Sequence, residues 1–233
     1  ARLVAGGDMM DRRVYTVEKR TSPTIYPESL FMVLALAACK TMKVASIDIE
    51  GAFLESPLTD EVYMRLGKDM SGLLVKLRPE YTGMMNAAGC VILLKALYGL
   101  VQASQLWYKA LHAALRDFGL QVSVVDKCVF FGCLNGYDVT LGVHVDDIGI
   151  IYHDPLVLTI LCDLLNTRFT KANLDVSTPL NFLGMQLTVG TDFMYVDMTR
   201  YEQDCCDAWG STKTYSTPHT AALFDDDTDS ELL

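Results

Sequence analysis

The sequence predicts an α+β fold, an antiparallel sheet backed by helices, on two observations. Helical and β-rich runs follow one another as helix, strand, helix, paired strands, helix, paired strands, not in the alternation of a doubly wound sheet. The paired runs are joined by short turn signals, of which Asn135-Gly136 is the strongest, and tight hairpins make antiparallel neighbours. At 233 residues the chain can bury a substantial core, as one large domain or two subdomains sharing a sheet. Its hydrophobic fraction of 51% and mean hydropathy of +0.23 argue against disorder over most of the length.

Pro27-Glu28-Ser29 opens an apolar helix that runs to about Thr41, and Met42 to Asp48 follows as a strand. Phe53 to Leu66 reads as a connection containing Pro57 and the apolar–acidic stretch Glu61-Val62-Tyr63-Met64. Gly67 to Gly89 is poorly patterned and reads as a surface excursion with one short strand, Leu73 to Leu77. Cys90 to Leu94 is a further strand. Leu106, Trp107, Ala110, Leu111, Ala114, Leu115 and Phe118 recur at three- and four-residue intervals, predicting an amphipathic helix from Ala103 to Phe118 that Gly119 closes. Cys128 to Leu134 and Tyr137 to Val145 form a hairpin about Asn135-Gly136. Asp154 as N-cap and Pro155 in the first turn begin a helix to about Arg168. Leu180 to Val189 and Phe193 to Asp197 make a hairpin around Gly190-Thr191. Thr199-Arg200-Tyr201-Glu202 is a capping box for a last short helix.

Several classes are disfavoured. Seven cysteines, an odd number without Cys-x-x-Cys spacing, support neither a disulfide framework nor a zinc site, and read as reduced intracellular thiols. No apolar run approaches the ~18 residues of a membrane span. The first residues lack the apolar core of a signal peptide and an initiator Met, which reads as a fragment or processed piece. The net charge of −10 argues against binding nucleic acid through a basic surface. Half of that charge comes from the acids beyond Thr217 (Asp225, Asp226, Asp227, Asp229 and Glu231), where no Lys or Arg occurs.

Chemistry concentrates at Asp146-Asp147, between Leu141-Gly142-Val143-His144-Val145 and Ile148-Gly149-Ile150-Ile151-Tyr152. Hairpin turns favour Asn-Gly or Asp-Gly, and this pair offers no glycine. Two carboxylates ~5 Å apart repel by roughly 3 kcal/mol at an effective dielectric of ~20. A divalent cation offsets that cost; a solvated turn is the alternative. The strand ending at Asp48 supplies a third acid, and the three converge if their strands are neighbours. Such an oxygen-rich set suits Mg²⁺ or Mn²⁺, and two such ions are the usual apparatus of in-line phosphoryl transfer. His144, beside the turn, either packs on its strand or touches metal or substrate.

The chain resembles the reverse transcriptase domain of copia-type long-terminal-repeat retrotransposons over nearly its whole length. The matching segments stand in the family's order: Ala1-Arg2-Leu3-Val4-Ala5, Ser22-Pro23, Leu34-Ala35-Leu36-Ala37-Ala38, Asp48 with Ala52-Phe53-Leu54, and Val62-Tyr63-Met64. Lys95-Ala96-Leu97-Tyr98-Gly99-Leu100, Gln102-Ala103, Trp107-Tyr108, Asp126 with Cys128-Val129-Phe130, Val145-Asp146-Asp147 and Phe182-Leu183-Gly184 follow. The resemblance implies a right-hand polymerase: a palm and partial fingers over residues 1–216, without the early fingers strands or a full thumb, then an acidic tail or linker over 217–233. It implies an RNA-directed DNA polymerase in which Asp48, Asp146 and Asp147 are catalytic and, with the carbonyl of Ile49, hold two Mg²⁺ ions, with Mn²⁺ as a substitute. Phe53 would close the sugar pocket against a ribose 2′-hydroxyl, and Ala52, Tyr98, Gly99, Gln102 and Arg2 would meet nucleotide. His144, Val145, Phe182, Leu183 and Gly184 would lie along the primer.

The implied partners are an RNA template, a DNA or tRNA primer, deoxynucleoside triphosphates, and the other Pol polyprotein domains (protease, integrase and RNase H), with no membrane. The implied location is cytoplasmic, in a retrotransposon particle, or nuclear. The chain departs from the family at His144, where tyrosine is usual, at Val101 and Ser104, where lysine and proline are frequent, and at Gly6, where a lysine is common. None is a metal ligand. An inactive, degenerate copy that only binds nucleic acid or protein is the alternative, and another metal-dependent phosphotransferase or nuclease a more distant one.

Overall fold

In a computed structural model of the chain, which describes residues 3–84 and 89–210, α1 (Val17–Arg20) and α2 (Pro27–Cys39) lead into β1 (Lys43–Ile49). A 3-10 turn at Ala52–Glu55 precedes β2 (Pro57–Arg65), and α3 (Lys68–Leu77) precedes β3 (Cys90–Lys95). Next come α4 (Ala103–Asp117), β4 (Gln121–Val122), β5 (Val129–Leu134), β6 (Tyr137–His144) and β7 (Asp147–Tyr152). Then follow α5 (Leu156–Arg168), β8 (Ala172–Asp175), β9 (Leu180–Phe182), β10 (Met185–Val189), β11 (Met194–Asp197) and α6 (Thr199–Trp209). The described residues fall into two compact units, one up to residue 196 and the other from residue 197 on. Arg2 and the acidic tail from 217 lie outside the described residues.

The main sheet has six strands in the order β4-β5-β6-β7-β1-β8, antiparallel at every junction, so the α+β expectation holds. Each face is built by alternation. On one face, Phe130, Leu141, Ile150 and Ala45 stand opposite one another across four strands, all at most 1% exposed. There α4 packs through His112, whose ring lies 5.4 Å from that of Phe130. Phe169, just after α5, sets its ring against Trp107 of α4 at 5.0 Å, and Arg168 pairs with Asp117. On the other face the opposed glycines Gly142 and Gly149 admit bulky neighbours. A Cβ at Gly142 would meet Ile25 at 2.8 Å, and one at Gly149 would meet the Phe182 ring at 2.9 Å. The β9–β10 turn is thereby seated directly on β7. The turn at Asn135-Gly136 carries φ of 51° and 92°, the doubly left-handed pair that the sequence signal requires.

Beside this sheet, β2 and β3 form a two-stranded ribbon over a smaller core of Ala5, Val62, Ala96, Leu97, Leu100 and Ala103. Here the expectations fail in part. The stretch read as a connection from Phe53 to Leu66 is a 3-10 turn and a nine-residue strand, because ribbon pairing to β3 overrides its polar composition. The strand expected at Leu73 to Leu77 is the end of helix α3, which has no buried residue, so burial alternation had nothing to act on. The long run from Leu180 to Val189 is two strands, broken at Leu183-Gly184, which carry φ of 50° and 79°. The last helix forms, but its cap is not Thr199: the Asp197 carboxylate accepts from the Thr199 amide at 2.8 Å.

Because the Phe182 ring occupies the space above Gly149, Gly149→Ala is expected to cost about 1–3 kcal/mol through overpacking. Urea unfolding measures it, and an unshifted midpoint would show that Phe182 is not seated there.

Candidate active site

Strand β1 ends in alternation: Ile47 and Ile49 are buried and Asp48 between them is exposed. Strand β7 begins in the same phase, with Asp147 half-buried and Ile148 buried. The register of the pair sets Asp48 directly opposite Asp147, which places their Cα atoms about 4.5–5.5 Å apart on one face of the sheet. The row extends both ways, to His144 on β6 and Asn173 on β8. The Ile49 amide donates to the Asp146 carbonyl at 3.3 Å and joins the turn to the end of β1. The three acids, nearly a hundred positions apart in the chain, are therefore neighbours in the fold.

The turn itself lies one residue earlier than the sequence suggested. His144 pairs with Asp147, so Val145 and Asp146 are its two central residues and Asp147 belongs to the strand. Val145 has φ of 58°, whereas Asp146 is not among the left-handed residues. That combination belongs to a type II′ turn, which favours glycine at its first central position. A side chain in the left-handed region costs about 1–2 kcal/mol, and a β-branched one is a true outlier there. Holding it in place is the indole N–H of Trp107, which donates to the Val145 carbonyl at 2.7 Å from a ring with no solvent exposure.

Around the acids, Tyr98 and Phe53 set their rings 4.5 Å apart, and the Tyr98 hydroxyl donates to the Asp146 carboxylate at the long limit of 3.5 Å. Gly99 follows at φ 92°, and its carbonyl would be struck by any Cβ on Gly7, so the N-terminal segment passes in backbone contact. The Ala5 amide donates to the Tyr98 carbonyl at 2.7 Å. Ala52 is fully buried, as is Gln102 at 3% exposure; the Gln102 amide nitrogen donates to the Tyr15 hydroxyl at 3.4 Å. Gln102 thus stands behind the site and not at its surface. Phe182 is buried on Gly149, one side-chain position along β7 from Asp147, with Leu183 and Gly184 in the adjoining turn.

Burial pushes the Asp147 carboxyl above the usual range, the Asp146 and Asp48 carboxylates push it further, and His144 acts in the opposite sense. Among the described residues none of the three acids is in an ion pair, and His144 is the one group that offsets the Asp147 charge. An all-oxygen acidic set fits a hard divalent cation. The carboxylates are not already gathered: among the described residues no group of three or more His, Cys, Asp or Glu side chains is arranged to hold a metal ion. None of the seven cysteines, all among the described residues, is in a disulfide, and burial pushes the Cys128 thiol up to about 12, where it is inert.

Sequence reasoning missed two members of this neighbourhood. Trp107 reads as one more apolar position of an amphipathic helix. Its only distinguishing signal is the indole N–H, which needs a partner once buried. Asn173 carries no signal, since its place opposite Asp48 depends on a strand pairing between distant segments.

Residues 1–221 match the family model described as reverse transcriptase (RNA-dependent DNA polymerase), and the chain belongs to that family. More narrowly, it is a reverse transcriptase domain closely related to those of copia-type retrotransposon Pol polyproteins. It is 32% identical over 205 residues to the retrovirus-related Pol polyprotein from transposon RE2 of Arabidopsis thaliana, and 33% over 204 residues to that from transposon RE1. Each of these matches covers 88% of the chain. It is also 27% identical over 188 residues, 80% of the chain, to the corresponding polyprotein from transposon TNT 1-94 of Nicotiana tabacum. The chain spans 13% of the length of each. No helix among the described residues is long and apolar enough to cross a membrane.

A carboxylic acid with a raised pKa supports the fold while protonated. That support is complete below the ordinary value of 3.8 and is lost as pH rises through the raised value. Asp147→Asn is therefore expected to melt at a higher temperature than the wild type at pH 7, with the difference closing as pH falls toward 3.8. Thermal melts across that range check it; equal melting points at neutral pH would contradict it.

Proposed function

We propose that the chain is the RNA-directed DNA polymerase domain of a retrotransposon Pol polyprotein, adding deoxynucleotides to a primer 3′-hydroxyl. The observation that carries this reading is the opposition of Asp48 and Asp147, with Asp146 on the adjoining turn, in a chain of this family. In this reading the six-stranded sheet is the palm, and the β2–β3 ribbon with the N-terminal segment belongs to the fingers. Template RNA, a DNA or tRNA primer and deoxynucleoside triphosphates are the partners, within a particle or nucleus where integrase and RNase H act on the same nucleic acid.

The carboxylates of Asp48, Asp146 and Asp147, with the Ile49 carbonyl, are the ligands for two Mg²⁺ ions (or Mn²⁺), which when bound supply a more acidic 3′-hydroxyl and charge neutralisation at the triphosphate. The protein's own part is positioning and selection. Phe53, braced against Tyr98, fills the space a ribose 2′-hydroxyl needs and rejects ribonucleotides by collision. Gly99, without a Cβ, lets the N-terminal segment at Ala5 lie against the nucleotide-side turn that carries Tyr98, and the Leu183-Gly184 turn carried by Phe182 lies on the primer side. Arg2 belongs to the same proposal on the fingers side.

A second reading is a folded but inactive copy. It rests on the ungathered carboxylates and on the net charge of −10. Primer extension on an RNA template with Mg²⁺ or Mn²⁺ separates the two, because only the first allows incorporation.

Under the polymerase reading, Asp146→Asn is expected to lower incorporation by about a hundredfold or more, the effect of losing several kcal/mol of charge stabilisation, while leaving the melting temperature close to wild type. Continued synthesis by that variant would remove the mechanism. Phe53→Ala is expected to admit ribonucleotides, read as the ratio of kcat/KM for deoxy- and ribonucleotides. An unchanged ratio rejects Phe53 as the gate.

A further inference from the structure

The β6–β7 hairpin has the wrong residues for its own turn. Its neighbour, β5–β6, uses Asn135-Gly136, which turn without strain; here Val145 takes the left-handed position with a branched side chain. The two-residue hairpin has two alternatives, types I′ and II′, related by a flip of the central peptide. That peptide carries the Val145 carbonyl. Its orientation decides whether Asp146 has positive or negative φ, and hence where the Asp146 carboxylate points.

The carbonyl is captured by Trp107 at 2.7 Å. Trp107 is fully buried on α4 and wedged edge-on against Phe169, so its N–H is a fixed point presented by the core. The helix therefore reaches through the palm to choose the turn type. We infer that Trp107 is a positioning residue for catalysis: its indole N–H selects the type II′ turn and so aims Asp146 at the face carrying Asp48 and Asp147. The catalytic half of this inference rests on the polymerase reading above; the choice of turn does not.

The test joins kinetics with amide hydrogen exchange on the same chain. Trp107→Phe keeps an aromatic ring and removes the donor. The expected result is a fall in kcat of about tenfold or more, the scale of misplacement by a fraction of an ångström to an ångström, with KM for the deoxynucleotide within about twofold. The Asp147 amide should exchange faster, while amides of the β5–β6 hairpin keep their protection. Val145→Gly placed in that variant should restore part of the lost kcat, because Gly-Asp favours type II′ unaided. A residue that merely fills the core predicts no such rescue.

If Trp107→Phe does not fold, 3-benzothienylalanine at position 107 replaces the N–H by sulfur at nearly constant shape and carries the same expectations. Unchanged kcat, a loss expressed only in KM, or absent rescue overturns the catalytic role. Unchanged exchange at Asp147 overturns the choice of turn. A wild-type chain that incorporates no nucleotide defeats the polymerase reading and the catalytic role with it, leaving exchange to decide the turn.

Discussion

Everything at the site depends on the register of β1 against β7. Sliding that pairing by one residue would turn every side chain of one strand to the opposite face. It is prevented by the apolar partners that share the strands. Ile47 opposes Ile148 and Ala45 opposes Ile150, all at most 1% exposed, so any slip would expose buried aliphatic surface. With that register imposed, Asp48 and Asp147 have no choice but to face each other. Two acids that repel are held together by hydrophobic contacts one position away.

The cost is localised at one hairpin. Val145 sits in a backbone region unsuited to it, and Asp147 is half-buried among like charges. Strain and uncompensated charge gather at functional sites when the surroundings over-determine the geometry. Here the surroundings are identifiable: Trp107 grips the turn from α4, Phe182 covers Gly149, and the Ile49 amide ties the turn to β1. The stability cost and the proposed catalytic capacity have the same origin, an acid cluster with no ion-pair partner among the described residues.

Much of the six-stranded sheet and its helices was legible in the sequence because these elements advertise themselves. The 3.6-residue stripe of α4, the Asn-Gly turn between β5 and β6, and the Asp154 side chain accepting from the Leu156 amide at 2.9 Å are all local signals. The acids were legible too, since charge is conspicuous between apolar strands. The ribbon of β2 and β3 was not, because its strand character comes from pairing and not from alternation. Helix α3, none of whose residues is fully buried, lacks the strongly buried face that makes a helix readable. Nor was the one-residue displacement of the β6–β7 turn, because the register of the two strands, and not the residues at their junction, sets where it falls.

In the proposed reading, Asp48 and the β6–β7 hairpin together form one cation site. Titrating the wild type and Asp48→Asn with Mn²⁺, followed by electron paramagnetic resonance in the presence of a deoxynucleoside triphosphate, tests it most directly. Mn²⁺ binding by the wild type is expected to weaken about tenfold or more in Asp48→Asn, where a neutral amide oxygen stands in place of a charged carboxylate. Binding by both proteins with equal affinity, or by neither, would mean that the strand register brings the acids together for no metal at all.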